Sequence, residues 1–307
     1  MSALSDHLAQ YLAVRRALDY KLRRAEKLLG QFIDHLQREG VETITTEHAL
    51  AWARLPAGHR NWHALRLSVV RGFARYLKTI DPDTEMPVAD LLPWRRCRAV
   101  PYIYSDEEIA ALMEAAEALR TSHRRTTYRT LIGLLAATGM RIGETISLDR
   151  AAIDWGAGLI ELRTAKFGKS RQLPLDPTTV EALRRYLHHR DRPRAATPTD
   201  ALFVSTAGTR LLASSVESTF HRLVRLAGIE PRSASCRPRL HDLRHTFAVR
   251  TLLDGYREEG DPGGRLALLS TYLGHTDPKH TYWYLEAVPE LMQRAATRLE
   301  RHFGGPR

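Results

Sequence analysis

The chain has 307 residues, of which 43% are hydrophobic and 26% are charged, with 46 Lys and Arg against 35 Asp and Glu. These fractions are typical of soluble globular proteins, and no apolar run approaches the roughly 20 residues needed to cross a bilayer, which excludes a membrane protein. The formal charge of +11 comes mainly from arginine. Because the arginine fork binds phosphate well, this excess favours a nucleic-acid partner over an acidic protein or a membrane surface.

The ends and the cysteines of the chain bear on its compartment. The first residues carry charges throughout and lack the apolar segment of a secretory signal, so we expect a cytoplasmic protein. Cys97 and Cys236 are the only cysteines. They are too few for a disulfide framework or a four-cysteine zinc site in a chain of this length, and we expect both to be reduced.

The N-terminal part of the chain has a helical pattern. Apolar residues recur at steps of three and four over residues 8–78, which predicts three or four helices in a compact bundle. Residues 80–101 then hold four prolines and little periodicity, as a linker does. We therefore predict a helical N-terminal domain over 1–85, a linker over 86–101 and a second domain over 102–307.

The second domain is predicted to be mainly helical with one β-hairpin. Ser105 is followed by three acidic residues, a typical helix start, and an apolar helix is expected to end at Gly139. Residues 159–165 and 171–175 have the composition of strands and enclose a tight turn. Further helices are predicted over 178–189, 213–228, 241–253, 265–274 and 288–303. The fold class is thus mainly α, with an α+β second domain.

Four short stretches place polar residues where the surrounding pattern is apolar or where charges cluster. In chain order they are residues 137–144 with Arg141 and Glu144, the hairpin turn with Lys166, Lys169 and Arg171, residues 241–245 with His241 and Arg244, and residues 273–284 with His275, Tyr282 and Tyr284.

In order and spacing these stretches resemble the signature boxes of the tyrosine recombinase family, also called the phage integrase family. That family has an arginine after a Thr-Gly turn, a lysine on a β-hairpin, an H-x-x-R helix, an L-G-H box and a tyrosine nine residues beyond its histidine. Counting nine residues from His275 gives Tyr284. The boxes span residues 137–285. The N-terminal region is similar to the family's core-binding domain in length and helical character only.

The resemblance implies an enzyme that cuts and rejoins double-stranded DNA through a 3′-phosphotyrosine and a Holliday junction, as a tetramer on two sites, without cofactor or metal. By it, Arg141 and Arg244 clamp the scissile phosphate, where the transition state gathers negative charge. Tyr284 is the nucleophile, with Tyr282 as its nearest alternative. A phenol with a pKa of about 10 must lose its proton, and His241 and the arginines would promote this while His275 donates to a phosphate oxygen.

Two further roles follow from the same resemblance. Glu144 would hold the guanidinium of Arg141 at the angle that the phosphate requires. Lys166 would be the general acid that protonates the leaving 5′ oxygen, although Lys169 lies in the same turn and remains an alternative. We interpret Lys169 and Arg171 as contacts to the DNA backbone, while solvated charge on a turn is the simpler explanation for all three.

A zinc site is the main competing interpretation of the histidines. His241 and His245 lie four residues apart on a predicted helix, as in the H-E-x-x-H motif. The second position is Asp242 rather than glutamate, and Arg244 would bring an uncompensated positive charge to the metal. We therefore predict no metal, with Asp242 fixing a histidine tautomer and His245 packing behind the site.

A basic stripe is predicted on the last helical segment of the N-terminal domain. Arg71, Arg75 and Lys78 follow at steps of four and three, which places them on one face, opposite apolar residues. Such a face suits DNA phosphates, and it is equally typical of ordinary solvated surface.

One departure and two rival functions remain. Arg244 and His275 are 31 residues apart, more than is usual in the family, and we assign the excess to a surface loop over 254–265. A type IB topoisomerase would share the chemistry, and a DNA-binding regulator could share the fold without cleavage.

The amphipathic segment 289–303 could dock on a neighbouring subunit of the tetramer.

Overall fold

The computed structural model describes the chain over residues 3–58, 60–94, 99–163, 170–191, 199–257 and 262–275, and at positions 277, 281, 282, 284, 292, 293, 296, 297 and 300. Within these ranges, the residues up to Trp94 form one compact unit and those from Ala99 onward form another. None of the helices in the described ranges combines the length and apolar character that spanning a lipid bilayer demands.

The first unit is built of helices. They are α1 (Ala3–Ala17), α2 (Arg23–Arg38), α3 (Thr46–Arg54) and α4 (Arg60–Leu77). Thr45 caps α3 by accepting a hydrogen bond from the backbone N–H of His48. Aromatic side chains pack in the core, where the ring centroids of Phe32 and Trp52 lie 5.1 Å apart. The helical character predicted for this part of the chain is confirmed.

The second unit is mostly helical around a small antiparallel sheet. Its helices are α5 (Asp106–Ala115), α6 (Ser122–Thr138), α7 (Ile142–Ser147), α8 (Pro177–Arg190), α9 (Ala213–Leu226), α10 (Asp242–Arg257) and α11 (Pro262–Leu273), and its strands are β1 (Ile153–Asp154), β2 (Leu159–Arg163) and β3 (Ser170–Pro174). In the sheet, whose described order is β1-β2-β3, Ile160 faces both Ile153 and Leu173. The predicted fold class and hairpin strands are confirmed. The two-residue strand β1 was not predicted, because two residues are too few to show alternation.

The segment 254–265 corrects a prediction. We expected a surface loop there, but α10 continues to Arg257 and α11 already begins at Pro262, with residues 258–261 outside the described ranges. Proline is well suited to the first position of a helix, since its missing N–H has no partner there in any case. The added length between Arg244 and His275 is therefore mostly helical.

The packing of three helices sets the position of the site. Helix α10 packs against both α6 and α11. Its buried residues, among them Val249 and Leu252, form one cluster with Leu269 and Leu273 of α11 and with Tyr284. Burying each such side chain contributes about 1.5–3 kcal/mol, so the ends of these helices are held firmly together.

Gly139 ends α6 in a conformation that favours glycine. Its φ is +60°, and its N–H donates to the Leu135 carbonyl over 3.0 Å. A β-carbon at this position would lie 2.5 Å from Cδ1 of Phe247 on α10. The glycine therefore serves both the turn and the close approach of α10.

We expect Gly139→Ala to lower the free energy of unfolding by about 2–4 kcal/mol, because left-handed strain and overpacking against Phe247 add. Gly228→Ala is the matched control. Gly228 also has a positive φ, of +66°, but no described atom within 4 Å of the added β-carbon, so only the strain of about 1–2 kcal/mol applies. Urea unfolding of both variants checks this, and equal losses would contradict the role given to Phe247.

Candidate active site

Arg141 lies at the junction of α6 and α7 and is held by Glu144. The backbone N–H of Arg141 donates to Oε2 of Glu144 over 3.0 Å, and its Nη1 donates to Oε1 over 2.9 Å. Burial opposes ionisation of Glu144, but hydrogen bonds from Arg171 and Arg141 outweigh it and lower the pKa of the carboxyl. The Arg141 side chain is 38% exposed, so a held and oriented guanidinium still faces solvent.

Arg244 lies in the first turn of α10 and is buried. Its Nη1 donates to the carbonyl of Gly139 over 2.8 Å, and its Nη2 donates to that of Leu273 over 2.7 Å. Nη1 of Arg141 also donates to the Leu273 carbonyl, over 3.3 Å. Burial, followed by the positive charge of Arg141, lowers the pKa of Arg244 to about 10, which leaves it charged at neutral pH. The two guanidiniums therefore meet at one backbone oxygen.

His275 has a defined tautomer next to Arg244. Its Nε2 lies 3.0 Å from Nη2 of Arg244, and its Nδ1 lies 2.7 Å from Oγ1 of Thr281. Since guanidinium nitrogens only donate, Nε2 must accept, and the ring proton sits on Nδ1. Donation from Nε2 to a phosphate oxygen, the role predicted for His275, therefore requires a change of tautomer or protonation.

Tyr284 is buried among histidines, with only 2% of its surface exposed, whereas Tyr282 is 53% exposed. The ring of Tyr284 stacks near that of His275, with centroids 6.2 Å apart, and meets His245 edge to face at 5.3 Å. Burial and these contacts favour Tyr284 over the alternative as the residue built into the site.

His241 adds a further ring to this group. It meets His245 edge to face, with centroids 4.8 Å apart, and the residue keeps an exposed surface. The protein packed around the imidazole, followed by the positive charges of Arg244, Arg141 and Arg239, lowers the pKa of His241 to about 4. At neutral pH the ring is therefore neutral and has an unprotonated nitrogen, but the lowered pKa makes it a weaker base than a free imidazole.

The lowered pKa predicts how His241 titrates in the protein without DNA. We expect its ring to stay neutral from pH 8 down to about pH 5, because the pKa falls from 6.5 to about 4. An NMR titration of the histidine ring signals, with the His241 signal assigned by its disappearance in His241→Gln, measures this directly. A midpoint near 6.5 would contradict the combined influence of the surrounding protein and the three arginines on the pKa of His241.

Asp242 supports the start of α10 through Arg239. The carboxylate is fully buried and accepts hydrogen bonds from the backbone N–H, Nε and Nη2 of Arg239, over 3.1, 2.9 and 2.7 Å. Nε2 of His245 approaches it only to 3.9 Å. The strong contacts of Asp242 are thus with an arginine, and its predicted influence on a histidine tautomer stays a prediction.

Arg171 lies on β3, between Glu144 and the end of α11. Its Nη2 donates to Oε2 of Glu144 over 2.8 Å, and its Nε donates to the Tyr272 carbonyl over 2.9 Å. Its side chain is 14% exposed. Arg171 is thus bonded to other residues of the site, and its predicted contact with DNA stays a prediction. Lys166 and Lys169 lie outside the described residues.

The basic stripe of the first unit lies on and just beyond α4. Arg71 is half-buried, while Arg75 and Lys78 are exposed; the apolar residues opposite them, Val70, Phe73 and Leu77, are buried. The assignment of the two faces agrees with the helical spacing. Contact of this stripe with DNA stays a prediction.

Several members of the site carried no recognisable signal in the sequence. The carbonyls of Gly139 and Leu273 accept from arginines, but every residue has a carbonyl, so no residue type marks them. Thr281 contacts His275, and its place between His275 and Tyr284 in the sequence was the one available hint. His245, by contrast, was predicted to pack behind the site, and its ring contacts that of Tyr284.

Known proteins match this chain along nearly all of its length. Residues 103–290 match the phage integrase family. A Sinorhizobium fredii protein that carries an integrase/recombinase name, y4rB, is 43% identical over 310 residues, covering 99% of each chain. Tyrosine recombinase XerC of Azotobacter vinelandii is 30% identical over 298 residues, covering 92% of this chain and 90% of its own.

Among solved structures, the Tn1549 transposon integrase in complex with transposon right end DNA has a similar fold. The TM-score is 0.62 at 15% identity, and the match covers 98% of this chain and 99% of the integrase chain. At this identity the likeness concerns the fold alone, and it agrees with a mostly helical chain that carries a small antiparallel sheet.

Proposed function

Because this chain belongs to the phage integrase family, we propose that it is a site-specific DNA recombinase that cuts and rejoins DNA through a phosphotyrosine at Tyr284. One observation supports this most directly: Arg141, Arg244 and the pair His275 and Tyr284 come from three separate segments and are joined by contacts into one group.

The arginines supply the positive field that phosphoryl transfer needs. Negative charge gathers on the non-bridging oxygens in the transition state, and donors fixed in advance stabilise it most. Arg141 is oriented by Glu144 yet exposed, and Arg244 is fixed from behind by two carbonyls. In this proposal Arg141 meets the scissile phosphate first, and Arg244 completes the clamp.

The covalent step transfers the DNA phosphate to tyrosine. The phenol oxygen of Tyr284 bonds to phosphorus as the bond to the 5′ oxygen breaks. The phenol proton passes to His241, which is neutral at pH 7, and the general acid protonates the leaving oxygen. We assign that acid to Lys166 from the family resemblance. Tyr284 is 2% exposed without DNA, so it must turn outward to attack.

Rejoining reverses these bonds on a partner strand. A free 5′ hydroxyl attacks the 3′-phosphotyrosine, Tyr284 leaves, and a Holliday junction results after one exchange. One phosphoester bond replaces another of similar energy, so the reaction needs neither ATP hydrolysis nor a metal to balance it.

Double-stranded DNA is the partner that we propose. The Tn1549 integrase was solved with transposon right end DNA, and we extend a DNA partner to this chain on that likeness and on its charge of +11. We further propose that the first unit contacts DNA through Arg71, Arg75 and Lys78, and that four copies act on two sites.

Most of segment 289–303, which we propose to dock on a neighbouring subunit, lies outside the described residues. Truncation after Leu285 tests it, since unchanged tetramer assembly on DNA would remove its docking role.

The decisive experiment asks for covalent attachment and locates it. Footprinting on DNA that flanks the gene identifies a bound site, and a version nicked beside the cleavage point traps the intermediate. We expect a DNA-linked protein whose tryptic peptide carries the nucleotide on Tyr284 by mass spectrometry. Attachment at Tyr282 would overturn the assignment.

Two parallel assays separate the rival functions. Recombination between two sites supports the proposal. Plasmid relaxation without recombination would indicate a type IB topoisomerase, and tight binding without any trapped species would indicate a regulator.

A further inference from the structure

Arg171 joins three parts of the catalytic unit that are far apart in sequence. From β3, its guanidinium reaches Glu144, which is 27 residues away, and the carbonyl of Tyr272, which is 101 residues away. Its Nη1 also lies where a β-carbon on Gly274 would come within 2.9 Å. One side chain thus connects the hairpin, the Arg141 box and the end of α11.

Arg171 differs from Arg141 in its bonding and in its burial. Nε and Nη2 are already bonded inside the protein, and Nη1 packs against Gly274. Its side chain is 14% exposed, against 38% for that of Arg141. A phosphate approaching this face meets Arg141 first.

Glu144 divides its carboxylate between the two arginines. Oε1 accepts from Nη1 of Arg141, while Oε2 accepts from Nη2 of Arg171 and from the backbone N–H of Arg141. Both side chains of the Arg171–Glu144 pair are 14% exposed, so solvent screens it less than it screens a surface pair. Without Arg171, the carboxylate loses one of its two charged partners and is freer to rotate, so the angle of Arg141 is less well defined.

The position of Arg171 in the sheet extends this connection to the hairpin. Arg171 pairs with Leu162 of β2, and the chain between the two strands, residues 164–169, contains Lys166. We propose that Arg171 is a positioning residue that fixes Arg141 through Glu144 and ties the base of the Lys166 hairpin to this clamp. The proposal rests on the recombinase function proposed above.

The test compares DNA binding with cleavage in Arg171→Ala. We expect single-turnover cleavage of the nicked substrate to slow by about 10–100-fold, as for other residues that orient a ligand-binding group. DNA affinity should stay within about twofold, and the salt dependence of binding should be unchanged. A direct phosphate contact would instead lower the salt slope by about 1. Arg125→Ala is the control, since Nε of Arg125 also donates to a carbonyl, that of Leu119, away from the site.

Two readouts separate positioning from a general loss of structure. If Arg171 acts through Glu144, adding Arg171→Ala to Glu144→Gln should slow cleavage little beyond Glu144→Gln alone. On a methylphosphonate site, which carries one negative charge less and depends less on the clamp, the loss in Arg171→Ala should shrink. Additive losses, or an equal loss on both substrates, would overturn the proposal.

The results distinguish a failure of the positioning role of Arg171 from a failure of the proposed recombinase function. If wild type forms no covalent complex, the recombinase proposal fails. If wild type does and Arg171→Ala cleaves at the wild-type rate, or binds DNA with a reduced salt slope, the positioning role fails. Should Arg171→Ala not fold, Arg171→Lys takes its place. It keeps the charge but not the fork, so we expect about 10-fold slower cleavage, and full activity would be a contradiction.

Discussion

Tyr284→Phe should lower covalent attachment to DNA by at least about 10⁴-fold, because phenylalanine lacks the hydroxyl oxygen that bonds to phosphorus in the proposed link. The phenylalanine ring keeps the contacts with His245 and His275. We therefore expect the stability of the fold to change by no more than about 1 kcal/mol, and DNA binding to be unaffected. The loss of covalent attachment would therefore reflect the chemical step and not folding or DNA binding.

The measurement is the yield of DNA-linked protein on a denaturing gel, with the nicked substrate and wild type beside the variant. Tyr282→Phe is the control, since Tyr282 is a nearby tyrosine that is 53% exposed. It should retain attachment. Linked product from Tyr284→Phe, or its loss from Tyr282→Phe, would show that the nucleophile has been misassigned.

Arg244→Lys should reduce single-turnover cleavage by about 10²–10³-fold, the usual effect of removing one fixed donor to a developing negative charge. Lysine keeps the charge, but it has no planar fork to hold the carbonyls of Gly139 and Leu273 while facing a phosphate. An acceptor left without its donor also costs about 1–3 kcal/mol. We thus expect a lower melting temperature together with the slower reaction.

Arg250→Lys on the same helix provides the comparison. Arg250 also donates to a backbone carbonyl, that of Tyr104, and pairs with Asp106, away from the catalytic group. It should lose some stability and keep its cleavage rate at a temperature where both proteins are folded. Equal slowing of the two variants would mean that Arg244 acts through the fold of α10 rather than through the phosphate.

The features that the sequence predicted well depend on residues close to one another in the chain. The end of α6 at Gly139 and the start of α5 at Ser105 depend on residues within one turn of the helix, and both lie where predicted. The strands β2 and β3 follow from composition and from the turn between them. The family was recognised from the order of the boxes along the chain, which does not depend on how the segments pack.

The features that escaped prediction depend on contacts between distant segments. Arg171 looked like one more charge on a hairpin turn, and nothing nearby in sequence indicated that Glu144 would accept from it. The same holds for Asp242, whose neighbours include two histidines but whose carboxylate binds Arg239. The helix at 254–257 was hidden by the glycines and the proline that come after it, which are typical of loops. Pro262, Gly263 and Gly264 instead form the first turn of α11.

The meeting of both guanidiniums at the Leu273 carbonyl has a consequence for how such a site can change over time. The anchor is a main-chain atom, so its chemistry is the same whatever amino acid occupies the position. Substitutions at position 273 that preserve the helix end and the buried packing of this side chain leave the charges in place, whereas a single inserted or deleted residue nearby would displace Arg141 and Arg244 together. The positions of Arg141 and Arg244 therefore depend more on the path of the backbone at residue 273 than on which amino acid stands there.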